Sequence, residues 1–254
     1  MYAYRHVGFH GGVYSSWKNG GYADIYLVNT AGYVVYSVTK SADFLKTLED
    51  EGVAGSGLAK VVAASAAAEP GSLVVSDYEP YALNGGVPAM FMAQEIRGAK
   101  GDPDAIVGFV VIRIDSSFFD AILNDTQRLG ETGQTYLIDD TGTVLSDMPR
   151  ASAPTALASV IDTPEIVAAP KGDSDVQALR VGADGISRLS VAVPVQFQGK
   201  RWAVVAERAE SEVMASVGAI FQAMLIATVA VIVIASVLGI LISRRITNRV
   251  TRLT

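Results

Sequence analysis

Between Ile25 and Tyr36 the chain reads IYLVNTAGYVVY, two short apolar runs on either side of a polar Asn-Thr-Ala-Gly step. Runs of this length, rich in β-branched and aromatic residues, predict strands. The step predicts a tight turn in which Asn29 bonds its own backbone and Gly32 takes a left-handed conformation. The pattern returns without a gap 110 residues later as TYLIDDTGTVLS, Thr135 to Ser146: Tyr26 aligns with Tyr136, Leu27 with Leu137, Gly32 with Gly142 and Val34 with Val144, and Asn29 and Asp139 share the turn position. Further on, MFMAQEIRG leads into AIVGFVVIRID in the first half, and LSVAVPVQFQG into RWAVVAERAE in the second. Each pair predicts two long strands joined by a polar turn, followed by a helix, SSFFDAILNDTQ or SEVMASVGAIFQ. In the first half SGLAKVVAASAAA sets Leu58, Val61 and Val62 at i, i+3 and i+4, the spacing of an amphipathic helix. The order strands, helix, strands, helix, met twice, describes an α+β fold of two tandem modules, each a mainly antiparallel sheet with helices to one side.

The pattern changes at Ala223. From there to Ser243 stand 21 residues without a charge, and RRITNRVTRLT follows with four arginines and no acid. At about 1.5 Å per residue the run makes a helix of roughly 30 Å, the thickness of a bilayer's hydrocarbon core. Arg244, Arg245, Arg249 and Arg252 place its C-terminal end in the cytoplasm. Everything before the run is then expected outside, and the bilayer becomes a partner of the chain.

Charge sharpens this division. Of 20 basic residues four lie in the tail, while all 26 acids precede Ala223, so the outer part is about ten charges negative. Such a surface argues against nucleic acid and against anionic lipid as partners. The chain has no cysteine, so the exported part carries neither a disulfide nor a thiolate nucleophile. The start, MYAYRHVGFHGGVYSSW, lacks the charged-then-apolar pattern of a signal peptide. The expectation is a fragment whose first membrane helix and cytoplasmic output lie beyond its two ends; the alternative is a native start and insertion by the single late helix.

YADIYLVNTAGYVVYSVTKSADF, SGLAKVVAAS, SDYEPYALNGGVPAMFMAQEI and LGETGQTYLIDDTG together resemble the double Cache sensory domain of bacterial methyl-accepting chemotaxis proteins. The resemblance runs from Tyr22 to Glu212, is strongest in LGETGQTYLIDDTG, and continues in SRRITNRVTRLT, which resembles the opening of a HAMP linker. It implies the following organisation: residues 1–21 as the remnant of an N-terminal helix, 22–128 as a membrane-distal module, 129–212 as a membrane-proximal module, 213–222 as a connecting helix, 223–243 as the membrane span and 244–254 as the start of the linker. It also implies a homodimer in the cytoplasmic membrane of a bacterium, a small-molecule ligand outside, and cytoplasmic signalling proteins as partners of an output, chemotaxis first. A histidine kinase, nucleotide cyclase or cyclic-di-GMP output is the alternative, and a non-signalling anchored binding module a further one. There are departures. Arg249 stands where the linker's proline would be, although Ile246, Val250 and Leu253 keep the 4-then-3 apolar spacing of a helix that packs against its twin. Leu83 and Asn84 follow Glu79, Pro80 and Tyr81 where the amino-acid-binding branch has an aspartate.

Candidate chemistry is confined to binding. The resemblance places a ligand between sheet and crossing loops of the first module, where Asp77, Tyr78 and Tyr81 of SDYEPY are expected opposite Tyr36 of the hairpin. Tyrosine suits such a site, with a flat apolar face and an orienting hydroxyl, and equally suits a plugged sheet edge. Asp77 reads as the ligand's cation partner or as the cap of the next turn. Lys40 and Asp43 read as an anion clamp or as a local ion pair in a solvated turn, worth up to about 1 kcal/mol. Asp139 and Asp140 sit in a hairpin turn, where backbone bonding is the better account. His6 and His10 have the i, i+4 spacing of half a metal site without further ligands nearby. Neither a phosphate loop, a G-x-S-x-G elbow nor a dinucleotide fingerprint is present, so no cofactor and no enzyme activity is expected of this stretch.

Overall fold

A computed structural model of the chain describes residues 2–99, 102–123, 129–182 and 184–250. Helix α1 (Tyr2–Gly20) leads into β1 (Asp24–Asn29) and β2 (Val34–Ser37), then α2 (Gly57–Ala67), two short strands β3 (Val74–Val75) and β4 (Glu79–Pro80), and the long pair β5 (Pro88–Ala99) and β6 (Asp102–Asp115). Helix α3 (Ser116–Leu123) precedes β7 (Gln134–Asp139), a short α4 (Pro164–Ala168), β8 (Val176–Val181), β9 (Ser187–Phe197), β10 (Lys200–Ala209) and α5 (Glu210–Val250). The strands form two antiparallel sheets, β2-β1-β6-β5 with β3 and β4 both on β5, and β7-β10-β9-β8. The α+β class with antiparallel sheets and flanking helices is therefore as the patterning predicts.

Both expected turns form by the same chemistry. Asn29 Oδ1 accepts the N–H groups of Ala31 and Tyr33, and Asp139 Oδ1 accepts those of Thr141 and Thr143. Gly32 and Gly142 sit at φ +80° and +87°, which a side chain would strain. The repeat is thus a repeat of turn geometry as well as of letters.

Strand alternation sorts each sheet into two faces. On the first sheet Tyr26, Val28, Phe109, Val111, Phe91 and Ala93 share one face, beneath Leu58, Val61 and Val62 of α2. Met90, Met92 and Ile114 share the other, where they meet Leu137, Leu145 and Trp202 of the second sheet's region, with Phe119 of α3 wedged between. Phe119 stands edge-on to Trp202 with centroids 5.6 Å apart, and Phe197 stacks on Trp202 at 5.3 Å. The far face of the second sheet has its own core of Tyr136, Ile138, Ala203, Val205 and Ile166.

Helix α5 follows β10 without an intervening loop and is the helix among the described residues that is long and apolar enough to cross a membrane, from Glu210 to Ile240, with none of its apolar window buried against protein. Along this helix the hydroxyls of Thr228 and Ser236 donate to the carbonyls of Met224 and Ile232 one turn earlier, so neither needs a partner from outside the helix. Of the linker stripe, Leu253 lies outside the described residues.

Candidate functional site

The same alternation that builds the cores places charged residues on them. Asp24, Tyr26 and Val28 follow one another on the core face of β1, and Arg113 stands opposite Asp24 on β6. The fully buried Asp24 gathers the turn after β2: one oxygen accepts the N–H groups of Ile25, Val38 and Thr39, the other the hydroxyls of Ser37, Thr39 and Ser41. That turn delivers Asp43 into the core, also fully buried. Its carboxylate accepts the hydroxyls of Tyr26 at 2.8 Å and Tyr81 at 3.2 Å and lies 3.5 Å from Arg113. Arg113 donates in turn to the Tyr26 hydroxyl at 2.8 Å. Burial, with the Asp43 charge, holds the Tyr26 and Tyr81 phenols well above their ordinary range, so both remain donors.

The second sheet repeats this arrangement. Tyr136, the counterpart of Tyr26, donates to the buried Glu207 at 3.0 Å; Gln134 donates at 2.7 Å and Ser190 at 3.4 Å, while Arg180 and Arg188 approach to 3.5 and 3.6 Å. Here the cluster opens onto a cavity of about 560 Å³ beneath the segment from Met148 to Ile161, whose wall includes Gln134, Arg150, Thr155, Arg180, Arg188 and Glu207.

The residues singled out from sequence go to separate places. Tyr81 joins the Asp43–Arg113 cluster. Tyr36 pairs across β1 with Leu27 and so faces the opposite side of the sheet, toward α1, where its hydroxyl meets His10 Nδ1 at 2.7 Å and its ring meets Phe9 and the Lys40 amine. Asp77 and Tyr78 are brought together in a cleft of about 500 Å³ between the sheets, walled also by Asp139, Leu157, Lys200 and Trp202. Asp77 bonds the Lys200 amine there, and Tyr78 packs edge-on against Phe119. Lys40 and Asp43, read as an anion clamp or as a local ion pair, go to different places: Asp43 turns inward and Lys40 lies over the rings of Tyr36 and Phe44. Asp24, Arg113, Glu207, Arg180 and Arg188 escaped the sequence reading. For two of them period two carries a signal, since Asp24-x-Tyr26-x-Val28 and Ala203-x-Val205-x-Glu207 each set an acid on an apolar face.

Near this cleft burial, reinforced by the charges of Asp147 and Asp115, raises the Asp120 carboxyl from 3.8 to about 6, although the Asp147 N–H donates to it at 2.8 Å. The folded state therefore holds this proton more tightly than the unfolded chain. Its contribution to stability is fully present below about pH 4 and is lost as pH rises through about 6. Asp120→Asn keeps an acceptor for the Asp147 N–H and is expected to raise the melting temperature above pH 6 while leaving it unchanged at pH 4. A variant that melts with the parent's pH profile would show that Asp120 does not set this slope.

A family model described as a Cache domain matches residues 11–217. Among solved structures, the fold is similar to the extracellular domain of rpHK1S-Z16, a protein described as a histidine kinase, at 18% identity over 81% of this chain and 78% of that one, with a TM-score of 0.54. It is also similar to the ligand-binding domain of the Pseudomonas aeruginosa PAO1 amino acid chemoreceptor PctC in complex with GABA (20% identity, 74% of each chain, TM-score 0.46). A further match is that of the Campylobacter jejuni chemoreceptor Tlp3 in complex with 4-methylisoleucine (14% identity, 77% and 68%, TM-score 0.49). No curated protein sequence matches the chain.

Proposed function

This chain belongs to the Cache domain family, and on that premise we propose that it is the receiving and membrane-crossing part of a bacterial receptor. Two Cache modules in tandem, residues 22–128 and 129–212, hold a small solute outside the cytoplasmic membrane, and α5 carries the change inward. The observation that carries this reading is continuity: β10 ends at Ala209 and α5 begins at Glu210, so a shift of the second sheet has no slack to lose before the bilayer.

A second contact supports it. The carboxylate of Glu212, in the first turn of α5, accepts the N–H groups of Glu131 and Thr132, both at 2.9 Å, together with the Thr132 hydroxyl and Arg208. The Leu-Gly-Glu-Thr-Gly segment before β7 thus clamps the helix to the sheet. A ligand moves such a device only by binding one arrangement better than the other, since equal affinity shifts nothing. A homodimer gives the stripe of Ile246, Val250 and Leu253 a partner. The output is most simply chemotaxis, with a kinase or cyclase as alternative; a long heptad-rich hairpin in the same protein would favour the first and a catalytic domain the second.

Topology is open to direct test because the chain has no cysteine. In intact cells a membrane-impermeant maleimide is expected to label Glu69→Cys and to leave Thr254→Cys untouched until the membrane is opened. Labelling of both, or the reverse order, would remove the transmembrane reading.

A further inference from the structure

The cavity on the second sheet has a composition its surroundings do not share. Its wall carries Arg150, Arg180 and Arg188 against Asp184 and Glu207, one positive charge in excess, on a chain whose net charge is −6. Arg188 is engaged by Asp184 and Glu207, and Arg150 donates to the carbonyls of Gly133 and Gly130. Arg180 is different. It lines the cavity and reaches Glu207 with one terminal nitrogen at a long 3.5 Å, while its Nε, like that of Arg113, is fully buried and turned to no partner among the described residues. Its terminal N–H groups, held by that one long contact, can take a further acceptor from the cavity, and guanidinium recognises planar carboxylates best.

We propose that this cavity is a binding site for a small organic monocarboxylate, whose charged end bonds Arg180 and whose apolar end lies against Met148 and Ile161. The charge balance selects the class. One excess positive charge matches one negative charge on the ligand, and the nearby Asp184 and Glu207 carboxylates oppose a dianion such as hydrogen phosphate. The size is right for a solute of a few carbon atoms with bound water, since small-molecule pockets begin at about 300 Å³. The site also adjoins the helix that leaves the domain. Glu207 lies three residues before the start of α5, and Arg150 holds the carbonyls of the turn whose N–H groups clamp Glu212.

The test uses the full chain in lipid nanodiscs and calorimetric titration with butyrate, its neutral amide butyramide, and phosphate. Butyrate is expected to bind, and butyramide and phosphate to bind at least about tenfold more weakly. Arg180→Gln is expected to weaken butyrate by at least about tenfold. Because Arg180 also attends Glu207, a second variant, Ser152→Trp, fills the cavity from its exposed loop without touching the buried cluster, and is expected to weaken butyrate equally. Absence of butyrate binding up to about 10 mM, equal binding of butyramide, or unchanged affinity in both variants would overturn the site. This inference goes beyond the receptor reading and is separable from it: butyrate that binds as described without altering an attached output leaves the site standing and counts against transmission alone.

Discussion

Replacing Arg113 with methionine is expected to lower the stability of the folded chain by about 3–5 kcal/mol, because the substitution leaves a buried carboxylate without its cation. Asp43 has no exposed surface, and Arg113 is only 6% exposed, so water cannot take over the lost role. The hydroxyls of Tyr26, Tyr81 and Ser41 that remain on Asp43 donate hydrogen bonds but bring no charge. The Tyr26 hydroxyl at the same time loses the donor that Arg113 supplies at 2.8 Å. Unfolding by denaturant in detergent, followed through the tryptophan and tyrosine signals, measures the loss. Two companions make the cause legible. Lys60→Ala breaks an ion pair with Glu79 whose lysine side chain is 53% exposed, and is expected to cost no more than about 1 kcal/mol. The double variant Arg113→Met, Asp43→Leu removes both charges and is expected to regain a large part of the loss. If the single variant unfolds within about 1 kcal/mol of the parent, the cluster is not holding this core together.

The contrast between that cluster and the turn beside it shows which features the sequence carries openly. Asn29 and Gly32, or Asp139 and Gly142, act on partners within four residues, so turn chemistry and the strands on either side follow from local letters. The amphipathic spacing of Leu58, Val61 and Val62 likewise predicts the face that α2 buries. Binding geometry is a matter of long range. Arg113 meets Asp43 across 70 positions, Tyr136 meets Glu207 across 71, and Lys200 meets Asp77 across 123. Tyr36 and Tyr81 are alike as letters, and only the pairing register, with its irregularity between Leu27 and Val28, sends Tyr36 to the face opposite Tyr81. A tyrosine-rich motif thus locates a core more readily than a pocket. The Leu-Gly-Glu-Thr-Gly segment is the reverse case: it carried resemblance without a physical reason until the fold supplied Glu212 as the partner of its N–H groups.

That clamp leads to the second large effect. With a reporter output fused after Thr254, a flexible Gly-Ser-Gly-Ser segment inserted after Val213 is expected to abolish the response to ligand while leaving ligand affinity unchanged. The insert lies outside the apolar run that begins at Ala223, so the proposed membrane span is left unaltered. The Glu212 bonds lie upstream of it, so the second sheet and its cavity keep their geometry. What the insert removes is stiffness: a helix transmits a tilt or shift of its first turn along its length because each residue is fixed by hydrogen bonds one turn away, and glycine-rich chain behaves as random coil. An alanine-rich insert of about seven residues at the same place lengthens the helix by close to two full turns and restores nearly the same face, so it is expected to retain the response. Loss in both inserts would point to a requirement for length rather than stiffness. Full response through the flexible insert would show that α5 merely anchors the domain, and that whatever the sheets bind is not reported across the membrane by this helix.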